Sequence, residues 1–153
     1  MNLLVTTLLC LHLLAAALWV GGMATIQLCV RPAALQSLDA PPLRLGLMTA
    51  TLQRFFALVL GAIGVLLLSG LAMWALSPGR MHWSVHAMTG LGLLMTGLFG
   101  HIRWALFPRL QKACAAQTWA VAAAALNKIR QLVAINLGLG CLVFIIAIVG
   151  RVI

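Results

Sequence analysis

The sequence predicts an all-α polytopic membrane protein, a bundle of four transmembrane helices. Three observations lead there. Of 153 residues, 64% are apolar and 7% are charged, against about 45–50% and about 25% in an ordinary soluble domain. The mean hydropathy is +1.14. The apolar residues gather in four runs, 3–30, 55–76, 83–102 and 131–150, each at or beyond the roughly 20 residues that cross a bilayer. A water-soluble globule is excluded, the lipid bilayer is the first partner implied, and residues 1–153 read as a single four-helix membrane domain.

The first run is apolar and ends in small residues, as a secretory signal does. Met1 and Asn2 give it no cationic start, however, and its uncharged length exceeds that of a signal core, so it reads as a helix. The connection from Arg31 to Arg54 holds Pro32, Pro41, Pro42 and the sole acid Asp39, which predicts a turn-rich loop re-entering helix near Arg44 to Leu52. Ser77-Pro78-Gly79-Arg80 is a tight turn between the second and third helices. Trp74 and Trp83 flank it, where indole rings favour the lipid–water boundary. Beyond Pro108, the alanine-rich segment Arg109 to Arg130 predicts a helix lying along the membrane surface or projecting from it. No internal repeat, low-complexity tail or linker is legible.

Ten Lys and Arg against one acid give +9, and the placement of these charges decides what they mean. Arg31, Arg44, Arg54, Arg103, Arg109, Lys112, Lys128 and Arg130 lie in the first and third connections, whereas Arg80 and Arg151 lie on the other side. The positive-inside rule then predicts a multi-pass protein with both termini on the non-cytoplasmic side and cations drawn to anionic head groups. No basic cluster is interleaved with aromatic residues, so nucleic acid is not an expected partner.

Cys10, Cys29, Cys114 and Cys141 include no CxxC or CxxCH, which excludes the usual zinc-ribbon, thioredoxin and c-type haem signatures. They read as small buried hydrophobes. No carboxylate lies within an apolar run, and there is no phosphate-binding glycine loop or Ser/His/Asp set. Hydrolysis and carboxylate-based ion pumping are therefore poor fits.

Polar groups at membrane depth are costly and mark function by default. Here they are His12, His86, His101 and Asn136, with His82 outside at the turn. His12 precedes Arg31 by 19 positions and His86 precedes Arg103 by 17, or about 28 and 26 Å at the helical rise. Two imidazoles at matched depth on helices one and three suit an iron or copper ion held across a bundle. His12, Trp19 and Met23 share one stripe. The His86 stripe continues through Gly90, Leu93 and Gly97 toward Gly100 and His101, a groove fitting a flat macrocycle or a neighbouring helix. Met23, Met88 and Met95 offer thioethers that suit Cu(I). Interhelical hydrogen bonding and small-residue packing are the competing explanation for these residues, and Asn136 reads as a packing hydrogen bonder.

The run His12-Leu13-Leu14-Ala15-Ala16-Ala17-Leu18-Trp19-Val20-Gly21-Gly22, followed by Arg31-Pro32-Ala33, resembles the CopD-type copper-resistance membrane family. The resemblance continues in Gln53-Arg54-Phe55-Phe56, in Gly70 and in the approach to helix four from Arg130 to Gly140. It implies copper uptake or homeostasis at the inner membrane. More distantly, the His-to-Trp interval is similar to that of the HemJ family of haem-containing protoporphyrinogen oxidases, although His86-Ala87-Met88 lacks the lysine of that family's His-x-Lys.

Three readings stay open on the sequence. In the first, a redox-metal site near the outer face uses His12 and His86, with Met88 and Met23 as auxiliary ligands to copper. In the second, His12 and His86 are axial ligands of haem b, Trp19 and Gly90 line the cofactor, and a quinone or porphyrin is the partner. The third is a structural subunit without cofactor. A homodimer through the glycine-bearing faces is compatible with each.

Overall fold

The computed structural model describes residues 3–76 and 82–150. Among them there is no strand, and nearly every residue is helical. The elements are α1 (Leu3–Thr25), a π-turn (Ile26–Val30), α2 (Arg31–Ser37), α3 (Pro41–Leu76), α4 (Trp83–His101), a second π-turn (Ile102–Leu106), α5 (Phe107–Ala115) and α6 (Trp119–Val149). The π-turns join their neighbours without a break, so the chain forms four continuous rods, Leu3–Ser37, Pro41–Leu76, Trp83–Ala115 and Trp119–Val149, all long and apolar enough to span a membrane. The Ser77–Arg80 turn and Arg151 lie outside the described residues.

The rods are longer than the apolar runs, and the difference has one cause. Proline inside a helix lacks a donor and clashes with the carbonyl one turn earlier, so Pro32 and Pro108 read in sequence as helix ends. In the structure a π-turn precedes each. Arg31 N–H reaches back to Ile26 O, and Phe107 N–H to Ile102 O, five residues rather than four. The wider turn accommodates the ring, and the helix runs on. The expected loop of 31–54 accordingly shrinks to Leu38–Ala40, and α3 starts at Pro41, where proline's missing N–H is harmless. The 109–130 segment does not lie along the surface either: it is the end of one rod, a turn, and the start of the next. In that turn Gln117 adopts φ 55°. Thr118 N–H bonds Ala113 O at 3.0 Å and Gln117 N–H bonds Cys114 O at 3.1 Å, which is a Schellman closure normally built on glycine. Gln117→Gly is expected to raise stability by about 1 kcal/mol, visible as a higher denaturation midpoint in detergent.

Burial reveals a repeat that residue identities conceal. Trp19, Met23, Ile26 and Ala34 are buried, and so are Met95, Phe99, Ile102 and Leu110, each 76 residues on. Leu45, Leu52, Phe56, Val59 and Ile63 in α3 are matched 77 residues on in α6 by Ala122, Ile129, Val133, Asn136 and Gly140. Two helical hairpins, α1–α3 and α4–α6, thus share one burial register, including the proline after the π-turn. The sequence expectation of no repeat fails because the register conserves which face is buried and not which residue fills it.

The core gathers at the arginine-rich end. Phe56 meets Phe99 and Phe107 edge to face at centroid separations of 5.6 and 5.2 Å, and Trp19 meets Phe99 at 6.1 Å. Arg103 caps the cluster, 5.6 Å from the Phe107 ring. Three glycines permit close helix approach: a Cβ on Gly22 would collide with the Phe55 ring, one on Gly140 with Val20 of α1, and one on Gly150 with Ser84 of α4. Toward the opposite end, beyond Ala15, Ile63, Met95 and Gly140, the buried side chains among the described residues are only Ser69 and Ser84. There the rods are thinly packed, and Leu14, Leu68 and Ile148 stand exposed to lipid.

A candidate metal-binding histidine at the thinly packed end

The α1 stripe points inward, as its spacing requires. Ala15, Trp19, Met23 and Ile26 are all buried, and His12 continues the line outward, half-buried against α3. Two features of α3 receive the imidazole. Gly70 offers no side chain, so the ring lies against its backbone; a Cβ there would sit 3.5 Å from His12 Cε1. One position earlier, buried Ser69 places its Oγ 2.8 Å from His12 Nδ1.

The serine determines which ring nitrogen is free. A hydroxyl has one hydrogen to donate, and the Val65 carbonyl, 2.5 Å from Ser69 Oγ, takes it. Toward His12, Ser69 Oγ can therefore only accept, so Nδ1 carries the proton and donates it. In the neutral imidazole Nε2 then keeps its lone pair, the form in which imidazole binds a metal, and a hydrogen bond at the other nitrogen is the usual way such a ligand is oriented. Sequence reading missed Ser69, because a lone serine in an apolar helix commonly bonds its own backbone. Only the register between α1 and α3 shows its second role.

His86 lies at nearly the depth of His12 but on a different side. His12 is eight residues outward of Val20 and His86 nine outward of Met95, and both Val20 and Met95 touch the position a Cβ on Gly140 would take. The rise places the two histidines about 12 and 13 Å above that point. At about 100° per residue, however, His86 stands about 180° from buried Met95. It is exposed, with no hydrogen bond or ring contact among the described residues. Gly90 and Gly97 share the exposed side, and a Cβ on either would meet nothing within 4 Å. The glycine groove thus faces outward, not into the bundle, and His86 is turned away from the side of α4 that packs within it.

The burial register explains why. Seventy-six residues after exposed Cys10 comes exposed His86, and 76 after half-buried His12 comes half-buried Met88. Met88, two residues from His86, is the counterpart of His12 in the second hairpin. Met23 is 1% exposed within the core and about 16 Å from His12 along α1, too deep to share a ligand with it. Trp19 packs on Phe99.

The remaining polar residues take structural places. Asn136 is buried, and its Nδ2 donates to Met95 O at 3.4 Å, the interhelical bond expected of it. His82 caps α4, its Nδ1 2.9 Å from Ser84 Oγ, and His101 is exposed. All four cysteines are free, but Cys10, Cys29 and Cys141 are exposed on the rods and not buried as their type suggests; lipid serves such side chains as well as a core does. Among the described residues no three of His, Cys, Asp and Glu converge.

Comparison with curated proteins and with solved structures gives no match. The family model described as Copper resistance protein D matches residues 49–149, from within α3 to the end of α6. His12 and the α1 motif lie before that span, so the case for His12 rests on its geometry. With four membrane-spanning rods and a match covering more than half its length, this chain belongs to the CopD copper-resistance family.

Proposed function

We propose that the protein handles copper at a bacterial-type inner membrane, taking the ion as cargo at the thinly packed end of the bundle, with His12 Nε2 as its first donor. The observation that supports this reading is the Ser69 bond, which orients the ring and, in the neutral imidazole, leaves the lone pair on Nε2. Met88 is the second donor, a thioether at the equivalent place in the other hairpin. Imidazole with thioether favours Cu(I) over harder divalent ions. Two donors suit an ion that must also leave, whereas a closed cage would retain it. Loose packing beyond Ala15 and Met95 gives the ion a way in, and the aromatic core below bars water. Both termini and the copper site lie on the non-cytoplasmic side in this reading, in keeping with the concentration of cations at the other end.

Copper accumulation by cells or sealed vesicles carrying the wild type, His12→Ala or Met88→Leu tests the proposal. Accumulation is expected to fall to background in His12→Ala and to drop severalfold in Met88→Leu, with the protein level in the membrane unchanged. Accumulation unaffected by His12→Ala would remove the basis for the reading.

A further inference from the structure

At the arginine-rich end, between α1–α2, the start of α3 and the start of α6, lies a cavity of about 290 Å3. Its walls are apolar, among them Leu45, Met48 and Val133, but Arg31, Arg44 and Arg130 border it together. The burial register shows why a cavity exists here. Arg31 and Ala34 occupy the places that Phe107 and Leu110 hold 76 residues later, where those two large side chains are fully buried. One hairpin fills the space with a ring and a leucine, and the other leaves it open and rims it with charge.

None of the three guanidiniums is ion-paired among the described residues; the sequence holds one acid, Asp39, and what Arg44 Nη2 bonds is its backbone carbonyl, at 3.0 Å. Arg44 Nε is buried without an acceptor, and an unmade bond to a charged donor is expensive. Arg130 is held in place from the backbone side, where Gln27 Nε2 donates to its carbonyl at 2.8 Å.

We infer that this cavity binds an anionic phospholipid, its phosphodiester between Arg31, Arg44 and Arg130 and the first part of an acyl chain against the apolar wall. Arginine forks match phosphate oxygens. The site lies where head groups meet the helix ends, and basic pockets between membrane helices on that side recognise such lipids. A soluble phosphate would meet the charges but leave the apolar wall unused; a zwitterionic lipid would meet the wall but bring its own cation toward three others. The inference stands independently of the copper reading.

Native mass spectrometry of the purified protein, with phosphatidylglycerol and phosphatidylcholine of identical chains in equal amounts, tests it. Phosphatidylglycerol is expected to be retained about tenfold over phosphatidylcholine. Each guanidinium is worth about fivefold, so Arg31→Gln/Arg130→Gln should abolish the preference. Arg109→Gln/Lys112→Gln, with equal charge removed at the same end but outside the cavity, should keep it. If the arginine double variant does not fold, Ala34→Leu replaces it, filling the cavity as Leu110 does in the other hairpin while keeping every charge; it too should lose the lipid. Equal retention of both lipids, or a preference surviving Ala34→Leu, would overturn the proposal. So would displacement of the lipid by inorganic phosphate, which would assign the site to the free anion.

Discussion

Phe56→Ala is expected to destabilise the bundle by about 3 kcal/mol or more, the largest loss from any single truncation in this chain. Phe56 is 1% exposed and joins both hairpins, packing on Phe55 in its own rod and on Phe99 and Phe107 in the other. In a bilayer the transfer part of the loss is small, because lipid tails are as apolar as the core. What remains is lost packing: an unfilled hole, and two edge-to-face contacts worth about 0.5–1.5 kcal/mol each. Unfolding of the purified protein in mixed micelles, followed by tryptophan fluorescence, measures this, since Trp19 abuts Phe99 and reports on the cluster. Leu68→Ala, at a position 72% exposed, is the control and should stay within about 0.5 kcal/mol of wild type. Equal losses at the two positions would mean that the aromatic cluster does not hold the hairpins together.

Gly140→Leu should be nearly as damaging, for the opposite reason. A Cβ at Gly140 would stand 2.6 Å from Val20 Cγ2 and 3.3 Å from Met95 Cε, against about 3.5–4.0 Å for an ordinary carbon contact. Valine in a helix has essentially one rotamer and cannot swing aside. The α1, α4 and α6 rods must therefore separate where they cross, at a cost of about 1–3 kcal/mol. Even Gly140→Ala should lower the unfolding midpoint, although alanine favours helix. Gly138→Ala is the discriminating partner, because a Cβ there meets nothing within 4 Å; it should be silent or stabilising. If both alanine variants behave alike, the close approach at Gly140 is not a feature of the folded protein.

Four spanning helices were legible because composition and run length dominate that inference, and no packing detail can reverse it. Helix ends were less legible. Pro32 and Pro108 are helix breakers in an α-helix but not behind a π-turn, and nothing in Ile26–Val30 or Ile102–Leu106 signals the extra residue before the backbone is seen. The spacing of His12, Trp19 and Met23 shows that they share one face, and only the burial of Trp19 and Met23 shows that this face is the inner one. For the His86 stripe, glycines suit a close helix contact and an open lipid-facing side equally well, and period alone does not say which. Depth counted from the arginines is one coordinate, and azimuth is the other. Ser69, Met88 as the counterpart of His12, and the arginine-rimmed cavity all depend on register between rods, which no single helix encodes.

In the copper reading, His12, oriented by Ser69, donates Nε2 to the metal. A competition titration of the purified protein with Cu(I), against a chromophoric chelator under reducing conditions, tests it most directly, in wild type, His12→Ala and Ser69→Ala. Wild type is expected to bind one Cu(I), His12→Ala to lose that binding, and Ser69→Ala to weaken it about 10- to 100-fold while keeping the stoichiometry, as loss of an orienting hydrogen bond does. Cu(I) affinity unchanged in His12→Ala would contradict the assignment.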